Sequence, residues 1–192
     1  MKGWYNINTP SYFGGISLGS APSGDSNKMI DRVVEATLYD ITGDFSQQHI
    51  KLFFQVITMK GNDAYTIFKG HEYSRDYLRS LVRRGSTRVD SIMNLKTKDM
   101  YNLRGAVVAL SVLRIRAAQI SSIRGIIRKI LEEKASNLNF DQFVQEAVLG
   151  KIASDIYNEA KKICPLRHVG FRKSKLIAQP VSNPLEAVGA EA

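Results

Sequence analysis

The spacing of apolar residues changes character near Ala117, and that change decides the fold class. Upstream, residues of opposite character alternate: Thr87, Val89, Ser91, Met93 and Leu95 form one series, and Arg88, Asp90 and Asn94 the other. A period of two is the mark of a half-buried strand. Downstream, Ile120, Ile123, Ile127, Ile130 and Leu131 fall on one face of a helix running from about Ala117 to Lys134. A run of strands followed by a run of helices argues an α+β fold.

Local signals place the remaining elements. Trp4–Ile7 is a short apolar opening cut off by Thr9-Pro10, and residues Gly14 to Asn27 read as a Gly-, Ser- and Pro-rich loop. Val33–Tyr39 reads as a strand. Leu52–Met59 is a stronger one, apolar on both faces, and Lys60-Gly61-Asn62-Asp63 turns it back into Ala64–Lys69. Ser74 caps a short helix to Arg84, with Gly85 as its stop. Thr97–Met100 is a turn, followed by a strand at Tyr101–Val112 in which Gly105 marks a bulge. A second long helix starts at Asn139, with Gln142 completing a capping box and Leu138 stapled to Phe143; it ends at Pro165. Val169–Ala178 is a last strand. A single domain is expected over residues 1–178, with a disordered tail from Gln179 to Ala192.

Charge then points to a partner. Between Lys69 and Lys134 there are 15 Lys or Arg against 6 Asp or Glu, an excess equal to the net +9 of all 192 residues. Such clustering suits a polyanion, because it releases condensed counterions when it meets phosphates. Arg75, Arg79 and Arg83 recur every four residues, so a helix from Ser74 to Arg84 lines them along one side, and Arg84 and Arg88 extend the row. Arginine pairs bidentately with phosphate and keeps its charge. Five arginines face one acid, Asp76, which argues against simple ion pairing. Arg114, Arg124, Arg128 and Lys129 repeat the device beside the isoleucine face, and Lys98, Arg104 and Arg116 complete the basic set of this segment. A third cluster holds Lys161, Lys162, Arg167, Arg172 and Lys173, with His168 and Lys175. If this segment is a strand, Arg172 and Lys173 point to opposite faces.

Other chemistry is thin. One cysteine, Cys164, allows no internal disulfide. The histidines are scattered, His71-Glu72 lacks the second histidine of a zinc-protease motif, and Gly14–Ser20 lacks the lysine of a phosphate loop. No metal, cofactor or small-molecule substrate is expected. No apolar run nears the ~20 residues that span a bilayer, and the opening residues lack the apolar core of a signal peptide, so a soluble, cytoplasmic protein without a membrane partner is expected. With only Tyr77 and Tyr101 in the basic segments, contacts to the backbone of a folded RNA are favoured over base stacking. A free RNA-binding or translation-accessory protein stays open, as does a metal-dependent RNA-processing enzyme using Asp44 or Asp90.

Three blocks carry a resemblance. Trp4-Tyr5-x-Ile-x-x-Pro10-x-x-Phe13-Gly14 with Leu38-x-Asp40-x-Thr42-Gly43-Asp44-Phe45-Ser46 is the first. Gly70-His71-Glu72-x-x-Arg75-Asp76-Tyr77-Leu78-Arg79-Ser80-Leu81-Val82-Arg83-Arg84 is the second. Phe143-Val144-Gln145-Glu146-x-Val148-Leu149-Gly150-Lys151-Ile152-Ala153-Ser154-x-Ile156-Tyr157 with Pro165-Leu166-Arg167 is the third. Together they resemble the archaeal and eukaryotic small-subunit ribosomal protein family S-three-Ae, or eukaryotic-type S-one, from Trp4 to about Pro180. The resemblance implies a strand-rich, barrel-like core with helices packed against it, and no catalysis. It implies a structural protein on the platform of the small subunit near the messenger exit, bound to ribosomal RNA and neighbouring proteins and close to messenger RNA. Two departures stand out. The basic segment that often precedes Trp-Tyr is reduced to Lys2, and the turn at Asp99-Met100 lacks the expected glycine.

Overall fold

A computed structural model describes residues 3–180. In chain order its elements are β1 (Gly3–Asn8), β2 (Ser17–Ser23), β3 (Val33–Thr37), α1 (Leu38–Thr42), β4 (Ile50–Lys60) and β5 (Asp63–Tyr73). Then come α2 (Arg75–Leu81), β6 (Arg88–Lys96), β7 (Asn102–Ser111), α3 (Ala117–Asn137), α4 (Phe140–Val148), α5 (Lys151–Ala160) and β8 (Leu166–Ala178). The α+β class read from the periodicity is the class observed. None of the described helices is long and apolar enough to cross a membrane.

All eight strands join one sheet that branches at β5. Along one edge β5 pairs with β4, which in turn pairs with β3. Along the other it changes partner. Its start, Asp63–Tyr65, runs parallel to β1, while Gly70–Glu72 runs antiparallel to β8. The sheet continues from β8 through β7 to β6, and β1 carries β2, so β2, β3 and β6 are the edges. The branch point is tightly built. A Cβ on Gly70 would lie 2.3 Å from the Ser174 carbonyl oxygen of β8. Beside it, His71 is buried, with Nε2 at 2.8 Å from the Phe171 carbonyl and Nδ1 at 2.7 Å from Ser174 Oγ. A carbonyl can only accept, so Nε2 donates to it and Nδ1 accepts from the serine hydroxyl.

The isoleucine face of α3 buries Ile123, Ile127 and Leu131 against the sheet, and Phe143, Val148, Ile152 and Ile156 of the later helices join the same core. A smaller core of Ile7, Met29, Val56 and Ala64 sits under the β1–β5 pairing. The second long helix expected from Asn139 to Pro165 is instead two helices, because Gly150 adopts φ 82° between them. Glycine enters that left-handed region without steric cost. Asn139 makes no side-chain cap. The orphan amide of Phe140 donates instead to Asp99 Oδ2 in the β6–β7 turn, at 3.0 Å.

Other boundaries differ for local reasons. Within the expected Gly14–Asn27 loop, Ser17–Ser23 forms β2, because β1 offers it a free edge to pair with. An edge strand tolerates its Gly19 and Pro22. The strand expected to Tyr39 stops at Thr37, which forms a capping box with Asp40 and starts α1. Gly105 is paired on both sides rather than bulged, and its missing side chain makes room for Phe171, whose ring would lie 2.7 Å from a Cβ there. Register shifts of β7 against β8 fall on either side of it, at Asn102/Leu103 and Ala106/Val107, and a third at Leu110/Ser111. From residue 181 onward the expected tail lies outside the described residues.

The glycine-poor turn has a visible cost. Met100 adopts φ 65°, held by Met100 N–H donating to the Thr97 carbonyl at 2.9 Å. A left-handed non-glycine residue costs roughly 1–2 kcal/mol, and glycine's extra freedom in the unfolded chain offsets about 0.5–1 of that. Met100→Gly is therefore expected to raise stability by about 0.5 kcal/mol, seen as a small rise in melting temperature. A fall would show that the exposed methionine side chain contributes packing at this turn.

Candidate nucleic-acid interface

Antiparallel register brings three distant basic segments to one end of the sheet. Arg88 at the start of β6 lies opposite Leu110 at the end of β7, and Leu110 lies opposite His168 at the start of β8. The connections leading into β6, out of β7 and into β8 therefore emerge together. Hydrogen bonds knit them. Thr87 N–H donates to Ser111 Oγ at 2.9 Å, Ile115 N–H to Thr87 Oγ1 at 3.2 Å, and Val112 N–H to the Pro165 carbonyl at 3.0 Å. Arg83, Arg84, Arg88, Arg114, Arg116, Lys161, Lys162 and Arg167 lie in or beside these connections, and all eight are exposed.

The arginine row is shorter on its helix than its spacing implies. α2 ends at Leu81, and Val82 turns to an extended conformation at φ −81°, ψ 126°. Tyr77 and Leu78 pack against the core, but Val82 is exposed and gives the helix no reason to continue. Arg75 and Arg79 project from α2. Arg83 and Arg84 follow on a turn in which Gly85 adopts φ 79° and Ser86 Oγ donates to the Arg83 carbonyl at 2.6 Å. Among the described residues, Arg75, Arg79, Arg83, Arg84, Arg114, Arg116 and Arg167 pair with no carboxylate. At this end the ion pairs are Arg88 with Asp90 at 2.8 Å and Lys162 with Glu159 at 2.9 Å.

The other basic residues spread away from this end. Asp90 gathers three arginines: its carboxylate holds Arg88 and, at 3.9 Å, Arg172, while its backbone carbonyl accepts from Arg124 Nε at 3.2 Å. Arg124 thereby ties α3 to the β6 edge. Arg172 is the unpaired residue of the register shift between β7 and β8, and it is half-buried. Lys173 pairs with Glu72 at 2.8 Å, and Arg104 Nε donates to Asn94 at 2.9 Å. Arg128 and Lys129 are exposed further along α3, the latter 3.9 Å from Glu133. Lys98 lies at the opposite end, in the turn whose backbone meets Leu138.

Sequence reasoning missed the aromatic neighbours of this basic end. His49 and Tyr77 stack with ring centroids 3.7 Å apart, and Tyr77 meets His168 edge-on at 6.1 Å. These rings, with Tyr73, Tyr157 and Arg167, line a cleft of about 410 Å³ that no carboxylate borders. A second cleft of about 430 Å³, between α3 and α5, is lined by Glu133, Asp155 and Glu159 around Lys134. Burial holds His49 below the ordinary histidine pKa. It does the same to His168, where His49 and Arg167 add to the effect. Both rings are neutral at pH 7. The residues come from four separate stretches of chain, so no local motif signals them.

The two acids considered for metal chemistry have other partners. Asp44 accepts hydrogen bonds from the amide and hydroxyl of Ser46, which lower its pKa, and Asp90 is the arginine hub. Among the described residues, no three His, Cys, Asp or Glu side chains converge as a metal site.

Comparison with known proteins adds an independent line. Residues 1–180 match the model of the Ribosomal S3Ae family. A protein of Desulfurococcus amylolyticus named small ribosomal subunit protein eS1 is 49% identical over 180 residues, covering 94% of this chain and 84% of that one. Proteins of the same name from Sulfurisphaera tokodaii and Saccharolobus solfataricus are each 47% identical over 180 residues. They cover 94% of this chain and 93% and 86% of their own lengths.

Proposed function

Because the chain belongs to the Ribosomal S3Ae family, we propose that it is a structural constituent of the small ribosomal subunit that binds ribosomal RNA through the basic end of its sheet. The family match over 180 residues carries the ribosomal part of this reading, and it gives the chain a structural rather than a catalytic role. The gathering of unpaired arginines from the β6, β7 and β8 connections supports the RNA part. Guanidiniums without carboxylate partners are free for phosphates, which position a protein on RNA while fit to the fold supplies specificity. Neighbouring ribosomal proteins are further partners. The platform near the messenger exit, with messenger RNA close by, is the proposed location, in the cytoplasm.

Sedimentation tests the ribosomal reading. Tagged protein in a lysate is expected to travel with small subunits and stay with them through a high-salt wash. Release by the wash would favour a free RNA-binding or accessory protein.

A variant tests the interface. Arg75, Arg79 and Arg83 are exposed, so changing all three to Gln is expected to leave the circular dichroism spectrum unchanged. Each lost phosphate contact flattens the dependence of affinity on salt by about 0.7–0.9 in log–log slope, so the triple variant should lose roughly two to three. An unchanged slope with normal subunit assembly would move the contact to Arg114, Arg124, Arg128 and Lys129.

A further inference from the structure

We infer that the cleft walled by His49, Tyr77, Tyr157 and His168 receives one unpaired nucleotide of the bound RNA, stacked against these rings with its phosphate on Arg167. The inference rests on the RNA-binding reading above and adds a site to it.

The cleft joins three properties. It is aromatic, lined by the His49–Tyr77 stack and by Tyr157 of α5. It lies at the basic end, with Arg167 on its wall and Lys161 Nζ 5.8 Å from the centre of the Tyr157 ring. And it carries no carboxylate, unlike the cleft between α3 and α5, whose acids would repel a phosphate. Neutral aromatic faces take a base by its π surface, and cations beside them take the backbone. About 410 Å³ lies within the range of small-ligand pockets and is far too little for a helix of paired RNA. A base within a duplex has its faces covered by its neighbours, so the occupant is a nucleotide from a bulge, loop or end.

The test uses two RNA hairpins and the full chain at low salt. One hairpin carries a single bulged 2-aminopurine, and the other holds the same base paired. The parent is expected to bind the bulged hairpin about tenfold more tightly, in line with the contribution of one stacked base, and to quench its fluorescence. Tyr157→Leu should bring the two affinities together while leaving that for the paired hairpin unchanged. Tyr157 OH also donates to the Leu166 carbonyl at 3.3 Å, so a second variant guards against a folding defect. Ser154→Leu, at an exposed position on α5, fills the cleft and should likewise abolish the preference. Equal binding of both hairpins by the parent with unchanged emission overturns the cleft assignment alone, as does a preference that survives both variants. Failure of the parent to bind either hairpin overturns the RNA reading and the cleft with it.

Discussion

Gly70→Ala is expected to cost about 3 kcal/mol of stability, at the upper end of what an added methyl costs in a packed interior. Most overpacked sites relax by moving a side chain. Here the three nearest atoms are all backbone of β8: the Ser174 carbonyl oxygen at 2.3 Å, its carbon at 3.2 Å and Lys175 Cα at 3.3 Å. Relief requires β8 to move away from β5, which breaks the Gly70–Lys175 pairing and loosens the hydrogen bonds between His71 and Ser174. Gly125→Ala is the natural contrast. Gly125 lies inside α3 with nothing within 4 Å of its missing Cβ, so alanine should add about 0.5–1 kcal/mol. Urea denaturation of the two variants beside the parent measures both. A Gly70→Ala protein as stable as the parent would mean that β8 slides freely at the branch, contrary to its two-sided pairing.

Acidification should expose the second large effect. Burial lowers the pKa of His71 from 6.5 to about 4, against the opposing influence of the Phe171 carbonyl and of Glu72. The folded protein therefore holds this ring neutral in a range where the unfolded chain protonates it. Above pH 6.5 both states are neutral and the stability is fully present. As pH falls from 6.5 towards 4 the unfolded state takes up the proton first, and about 3 kcal/mol is lost at about 1.4 kcal/mol per pH unit. His49 and His168, also held low by burial, add to the loss in the same direction. His71→Gln separates the contributions, because an amide can still donate to Phe171 and accept from Ser174 but does not titrate. Between pH 7 and pH 4 the variant should lose about 3 kcal/mol less than the parent. Equal losses would assign the acid sensitivity to other groups.

The strands and helices were legible where a local period or a local breaker specified them. Met93, Leu95 and their neighbours alternate because one face of β6 is buried, and the Ile123–Ile127–Leu131 stripe marks α3 for the same reason. Elements that depend on a distant partner were not legible. β2 is a strand because β1 lies beside it, not because Gly, Ser and Pro favour extension. The break at Gly150 is hidden because apolar residues continue in helical spacing on both sides of it. The basic residues could be named from composition, but their arrangement could not. The row on α2 stops two residues before Arg83. Arg83, Arg88, Arg114 and Arg167 become neighbours only through the register of three antiparallel strands. The aromatic cleft is less legible still, since His49, Tyr77, Tyr157 and His168 are scattered over 120 positions.

The place of β8 in the sheet also sets an order of events during synthesis. It is the last strand among the described residues, yet it lies inside the sheet, between β5 and β7. While residues 166–178 are still being made, β5 and β7 each present an open edge, and the two halves of the protein have no shared strand. Unpaired edges invite pairing with other chains, and contacts between residues far apart in sequence form slowly. The β5–β8 contact joins Gly70 to Lys175, so the nascent chain must keep β5 competent for pairing while the hundred residues between them are made. The same step brings Arg167 and His168 beside α2. The surface proposed to meet RNA is therefore completed only when β8 docks, and a chain halted before that strand would lack it.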